Sequence, residues 1–435
     1  MRFKRGNFSA REMVVYLLVI TVLSFLLSVL FRHNEIWPFV DKPVDQMLDA
    51  IDITGSRKAA REKFISDQTK LDELKQARAA QIADEKRRNY TISTSLHRLK
   101  IKLIEAVPES HLAMINADHQ KAVFLLFSID NPALMHGTLN IETQSLEVKQ
   151  LGAYSSASTA TDIFVSPKNG KIYASYVAID ERTCASIKLD EITLSDNQFT
   201  TTNIFSSDCV LPPYWVRQTG GRIEEDHSGN LYLTIGDFQH SALAGDRSSH
   251  FGKIMFRKHN QSKFQVFSSG HRNGQGLFWD KETNKLYETE HGPQGGDEIN
   301  IIQQNVDYGW PRRTYGTTYG TNPEGPFLSN SATQYGSHND YKKPIHVYTP
   351  SIGIGQIKKM PRRQYEFPNW KNNFLVAGMT SSGLVRLIIE NDRVILNEQI
   401  NTGRIRDFFI TDAGIIIASR PDGIIMVRRD KGNRN

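Results

Sequence analysis

Two short stretches carry the residue types of a cofactor-binding or catalytic centre: GHRNGQGLFWDKETNKLYETEHGPQGGDEINII at residues 270–302 and TGRIRDFF at residues 402–409. The first gathers His271, Arg272, Asn273, Gln275, Glu290, His291, Asp297 and Glu298 around a turn shaped by Gly292, Pro293, Gly295 and Gly296. Backbone carbonyls freed by such a turn, close to carboxylates, suit a hard cation such as Ca²⁺. Arg272 together with Arg404 and Arg406 offers paired N–H donors to a multiply carboxylated ligand. A purely structural account fits the same residues: Asp297 and Glu298 cap a turn, and the arginines pair internally. For any one residue the structural account is the simpler; for the set it is not.

The elements that would position these residues are strands. From about residue 95 the sequence turns to period two, beginning with LKIKLIE, as a half-buried strand requires. A unit of strand, polar turn and second strand then recurs as DIFVSPKNGKIYASY (162–176), RIEEDHSGNLYLTIGD (222–237), GLFWDKETNKLYETEHG (276–292) and RDFFITDAGIIIASR (406–420), with a looser copy in EFPNWKNNFLVAGM (366–379). Tyr173, Tyr232 and Tyr287 fall at equivalent places. Antiparallel units at this spacing are the mark of propeller blades, which stack radially because one four-stranded sheet cannot bury both faces alone. The expected fold is all-β, a six-bladed β-propeller over residues 95–435. Long Gly-, Asn-, Ser- and Tyr-rich loops at 303–350 are expected between blades, overhanging one face.

What precedes the propeller reads differently. MVVYLLVITVLSFLLSVLF (13–31) is uncharged and apolar, and a helix of this length spans about 28 Å, close to the hydrocarbon thickness of a bilayer. Arg2, Lys4, Arg5 and Arg11 precede it. That asymmetry predicts a single-pass signal anchor in a bacterial inner membrane, with the basic tail (1–12) cytoplasmic and the propeller periplasmic. A cleaved signal peptide fits less well, because no small-x-small site follows. Residues 32–55 read as a connector. Residues 56–89 read as a mostly solvated stalk helix that leaves room for weak self-association or a helical partner. Outside the cytoplasm Cys184 and Cys209 are candidates for a disulfide, the alternative being two separate buried thiols. The net charge of +6, from 53 basic and 47 acidic residues in a chain of 435, is spread out and gives no case for nucleic acid. Two cysteines also exclude zinc-finger spacing.

In their order, GGRIEEDHSGNLYLTIGD, SSHFGKI, GHRNGQGL, ETEHGPQGGDEINII, YGWP, PSIGIG and GRIRD resemble the soluble pyrroloquinoline quinone (PQQ) dependent aldose and glucose dehydrogenases, the glucose/sorbosone dehydrogenase family, over about residues 215–428. The resemblance implies a six-bladed propeller that oxidises an aldose at its anomeric carbon. It implies that Arg272, Asn273 and Gln275 lie against the quinone and that Arg404 and Arg406 hold its carboxylates. The Gly292 and Pro293 carbonyls would bind calcium, and Asp237 would support the catalytic base.

The chain departs from the family where proton transfer is concerned. The family's base is a histidine opening an H-x-G-G-R-like segment, and here QTGGR places Gln218 there. A neutral amide is no proton acceptor. The family's cofactor-contacting lysine has no counterpart near Met379 and Thr380, and Gly274 replaces a proline, which suggests a looser loop. His240, His250, His271 and His291 lie in or near matched segments, with structural roles as the simpler expectation. Two functions follow: an active membrane-anchored quinoprotein, or a catalytically degenerate propeller that binds a glycan or serves as a scaffold in a membrane complex.

Overall fold

The described residues of the computed structural model run from 90 to 432, apart from 182, 196–197, 212–215, 318–333, 336–337 and 381–382. Residues 84–435 form one compact unit. The expected basic tail, anchor, connector and stalk helix, residues 1–89, lie outside the described residues. Among those described, no helix is long and apolar enough to cross a membrane.

The described residues form six antiparallel sheets and one short parallel pair, Arg313–Thr314 with Gln334–Tyr335. In chain order the blades are Ser110–Ala153, Thr159–Ser206, Gly220–Ser269, Gly274–Tyr348, Ile354–Asn401 and a last one begun by Asp407–Ile410, Ile416–Arg420 and Gly423–Arg429. Blades 1 to 5 are four-stranded meanders. Blade 6 lacks its own fourth strand and takes Arg98–Glu105 instead, with Tyr90–Ser93 outside it. The pairing runs from Leu99 opposite Arg429 to Glu105 opposite Ile424. The LKIKLIE strand is therefore the clasp that closes the ring, a role its alternation alone does not disclose.

Inner strands are covered by the neighbouring blades and by the channel, so Gly220–Glu225 is buried along its whole length. The outer strand Arg393–Asn401 instead alternates exposed and half-buried positions. Six apolar clusters form, one at each blade interface. Phe124, Phe127, Phe367 and Trp370 within them are fully buried, each large side chain adding roughly 1.5–3 kcal/mol relative to exposure. Tyr173, Tyr232 and Tyr287 all lie buried on second strands, as their spacing predicts.

Two expectations need correction. In blade 5 the looser repeat supplies only the second strand, Phe374–Gly378; the inner strand is Ile354–Lys359, and the residues between include a 3₁₀ turn at Pro368–Trp370. The Gly- and Tyr-rich insertion does not separate blades. It interrupts blade 4, whose outer strand His346–Tyr348 follows it and pairs with Asp297–Ile302. The unit that opens blade 1, Ser110–Ala117 and Lys121–Ser128, does not show the repeat in sequence, because its apolar run is nearly continuous and its turn, DHQ, lacks glycine.

The channel is filled by charge. Arg222, on the inner strand of blade 3 and 1% exposed, places Nη1 3.0 Å from Asp162 Oδ1 of blade 2 and 3.0 Å from Asp407 Oδ2 of blade 6. The same nitrogen lies 3.0 Å from His111 Nδ1 of blade 1, and Nε donates to the Gln275 carbonyl of blade 4 at 2.7 Å. Asp162 and Asp407 accept in turn from the backbone N–H groups of Ile223 and Leu112. Burial raises both carboxylates: Asp162 stands at about 6, while Arg222 and His111 pull Asp407 below the ordinary range. Burial, reinforced by Arg222, lowers His111 to about 4, so it is neutral.

Arg222→Leu strips two buried carboxylates of their cation, and breaking such a buried pair costs about 3–5 kcal/mol. Urea unfolding should register that loss. A midpoint unchanged from wild type would show that the channel solvates its carboxylates without the guanidinium.

Candidate active site

The site residues share one position in the blade plan. Glu109 precedes the inner strand of blade 1, Gln218 that of blade 3, Arg272 and Asn273 that of blade 4, and Arg404 and Arg406 that of blade 6. Turns leaving the second strands of blades 3 and 4 bring up Asp237 and residues 291–293. All of them therefore meet at the channel mouth where the inner strands begin.

Around Gln218 the contacts form a chain. With its amide set to satisfy both neighbours, Gln218 donates to Asp237 Oδ1 at 2.6 Å and accepts from Arg272 Nη2 at 2.9 Å. Asp237 Oδ2 accepts from Trp310 Nε1 at 2.8 Å, and its Oδ1 accepts from the Gln239 N–H at 2.9 Å. The Arg272 Nη1 donates to the carbonyls of His291 at 2.9 Å and Gly292 at 2.7 Å, and the guanidinium lies 5.4 Å over the Trp310 ring. Gln218 takes up a positive φ of 56°, and a Cβ at Gly236 would stand 1.8 Å from its carbonyl oxygen. Only glycine lets these turns approach so closely. Burial raises Asp237 to about 6 against the pull of Arg272.

Asn273 accepts from the Gly220 N–H at 3.1 Å and from Gln275 Nε2 at 3.0 Å. Both expected contact residues thus help lock the start of blade 3. Across the mouth, Glu109 takes both arginines of the R-x-R segment. Its Oε1 lies 3.1 Å from Arg404 Nε, and its Oε2 lies 3.4 Å from Arg404 Nη2 and 3.8 Å from Arg406 Nη2. Arg406 Nε is buried without an acceptor. The arginines of residues 404–406 do pair internally, as the structural account allowed, but with a carboxylate that the sequence reading never singled out. Its only clue was a place immediately before a blade's inner strand.

The turn at 292–297 is held by Asp297, which accepts from the N–H groups of Gly292, Ile352 and Ile354 at 3.1, 3.0 and 3.1 Å. Asp297 is a cap. The Gly292 carbonyl, expected as a calcium ligand, accepts from Arg272 instead, and a Cβ on Gly292 would meet Gly296 O at 2.2 Å. Pro293 lies beside it in the same turn. Gly274 is not slack: it opens the inner strand of blade 4, paired with Glu290, and a Cβ there would come 2.5 Å from Glu288 Oε1. Met379 and Thr380 reach this face through backbone bonds to Gly353 and Ile352.

The four histidines have separate tasks. His240 Nε2 sits on the Leu211 carbonyl and His250 on Asp208. His271 is buried between Glu290, Glu288 and Ser268; burial lowers it, but the two glutamates outweigh that and bring it up to about 10. His291 lies within the fields of Arg272 and Arg406 and is brought down to about 4, chiefly by burial. The ring bonds of these histidines go elsewhere than to Gln218 and Asp237, though His240 lies within the electrostatic reach of Asp237. On blade 2, Cys184 and Cys209 are joined as a disulfide, Cα atoms 5.6 Å apart, clasping the outer hairpin Ala185–Ser206.

The glucose/sorbosone dehydrogenase family model matches residues 140–433, more than half of the chain. Over 232 residues the chain is 26% identical to the aldose sugar dehydrogenase YliI of Escherichia coli, a stretch covering 49% of this chain and 57% of that protein. The chain spans about half the length of the curated relatives it matches. The crystal structure of the soluble aldose sugar dehydrogenase of Escherichia coli, in its apo-form, is similar with a TM-score of 0.65 at 20% identity, covering 76% of this chain and 100% of that one. The PQQ-bound aldose sugar dehydrogenase of Streptomyces coelicolor is similar with a TM-score of 0.53 at 19% identity, covering 76% and 98%. At these identities the structures establish the fold, and the six-bladed propeller stands.

Asp237 is held at the mouth against its own ionisation. From its ordinary 3.8 to about 6, rising pH takes a proton from the unfolded chain that the folded one retains. The folded state loses stability across that window, by up to about 3 kcal/mol for a raise of this size. Asp237→Asn does not titrate, so its stability relative to wild type should improve between about pH 4 and about pH 7. Urea midpoints at the two ends test this; a difference that does not move with pH would mean that Asp237 ionises normally.

Proposed function

Because this chain belongs to the glucose/sorbosone dehydrogenase family, we propose that its propeller binds PQQ and acts on the anomeric carbon of an aldose. The observation that carries the reading is the meeting of Arg272, Arg404 and Arg406 at one mouth with the paired Gln218 and Asp237. Guanidinium forks suit a multiply carboxylated quinone, and the buried Arg406 Nε has no acceptor, so the residues present fit that group. When bound, such a quinone accepts the hydride that leaves the sugar.

The chain's own residues hold the carboxylates through Arg404 and Arg406 and orient the ligand through Arg272. Calcium is proposed at the Gly292 and Pro293 carbonyls, the first of which also accepts from Arg272. Removing the proton from the anomeric hydroxyl falls to position 218. There Gln218 can orient a hydroxyl through its amide but cannot take the proton. Missing general-base catalysis typically lowers a rate about 10²–10⁴-fold. Gln218 is also the observation that favours the second reading, a non-catalytic propeller that binds a glycan or acts as a scaffold in a membrane complex.

We further propose that residues 13–31 anchor the chain in the inner membrane, that residues 56–89 form a stalk open to a helical partner, and that the propeller lies in the periplasm. The disulfide supports an oxidising compartment.

With PQQ and calcium supplied, Gln218→His beside Asp237 should raise aldose oxidation about 10²–10⁴-fold over wild type, read with an artificial electron acceptor. Bound PQQ without any gain would favour the non-catalytic reading. No detectable PQQ binding to either protein would remove the quinoprotein reading altogether.

A further inference from the structure

We propose that Glu109 is a built-in competitor for the arginine clamp, standing where a ligand's carboxylate belongs and leaving when that ligand arrives. The inference rests on the reading of this mouth as a carboxylate-binding site and adds to it a residue that sets how tightly the site binds.

Three observations carry it. The first is geometric: Glu109 meets Arg404 with both oxygens, at 3.1 and 3.4 Å, and reaches Arg406 with one of them at 3.8 Å. A carboxylate arriving from solution makes the same side-on contact with a guanidinium. The second is charge: one carboxylate faces two guanidinium groups, and Arg406 Nε still lacks an acceptor. The third is access. The side chains of Glu109, Arg404 and Arg406 are 19%, 37% and 21% exposed, so water and solutes reach the pair, and a pair so placed is held only weakly.

The backbone around Glu109 is fixed by bonds of its own, independent of its side chain. The Glu109 carbonyl accepts from the Ile129 N–H at 3.0 Å, and the next residue's N–H donates to Ser419 Oγ at 2.9 Å. The ion pair with Arg404 and Arg406 is therefore what holds the side chain over the mouth. Rotation about its own χ angles can clear the clamp without moving a strand. A ligand with two or more carboxylates brings more acceptors to the arginines than the single carboxylate of Glu109 and so wins the exchange, but less tightly than it would without the competitor.

The test is calorimetric titration of PQQ, and separately of citrate as a simple polycarboxylate, into the full chain and into its Glu109→Gln form. Removing the competing charge should tighten binding up to about fivefold, the order expected of a partly exposed ion pair. Glu109→Asp, which keeps the charge, should show less of the gain than Glu109→Gln, and thermal melts of both variants report whether they fold as wild type does. Glu109→Ala gives the same reading if the glutamine disturbs the mouth. Equal or weaker binding after Glu109→Gln would overturn the proposal and make Glu109 a residue that positions the arginines. A gain for citrate with no PQQ binding to any form would uphold the proposal while removing the quinone reading. No binding of either probe to any form would sink both.

Discussion

The Arg222 guanidinium in the channel is the contact on which the mouth depends. A propeller has no single core. Its blades stack through six separate apolar clusters, whose contacts are non-directional. Arg222 adds direction, because it bonds at once to side chains or backbone of blades 1, 2, 4 and 6. Each bond is directional, and an unmet buried charge is expensive, so the strands can start only at levels that satisfy all of them. The residues just above those starts are the site residues.

The mouth itself holds two runs of polar contacts. Asp237, Gln218, Arg272 and the Gly292 carbonyl follow one another, and Glu109 answers Arg404 and Arg406 across the opening. Groups held this way have their rotamers set before any ligand arrives, which lowers the ordering cost of binding. They are also occupied, so a ligand must exchange bonds rather than simply add them. The raised Asp237 and the left-handed backbone of Gln218 fit the usual pattern in which a functional site departs from what stability alone would select.

How much of this was readable in advance depended on distance along the chain. The blade rhythm was legible because Tyr173, Tyr232 and Tyr287 repeat a local pattern of burial. The clamp residues were legible because GHRNGQGL and GRIRD carry their chemistry within a few positions. Partners were not. Arg222 sits inside the QTGGR motif, yet its bonds go to Asp162, His111 and Asp407, far away in the chain. Glu109 meets Arg404 from the opposite end of the propeller's sequence. Period-two patterning shows which face of a strand is buried, but not which blade will lie against it, so internal pairing of the arginines could be entertained without its partner being found.

The closure of blade 6 carries a consequence for how the chain is made. Arg98–Glu105 leaves the ribosome before any blade exists, while its neighbour Gly423–Arg429 is made only after the other strands of the propeller. Throughout that interval it is an unpaired strand edge, the kind of template on which nascent chains misassociate. Its sequence answers the hazard: Arg98, Lys100 and Lys102 alternate with the apolar residues that will face the core. Two copies meeting edge to edge would bring like charges together, so the strand is ill suited to another copy of itself while it waits for the C-terminal end of its own chain.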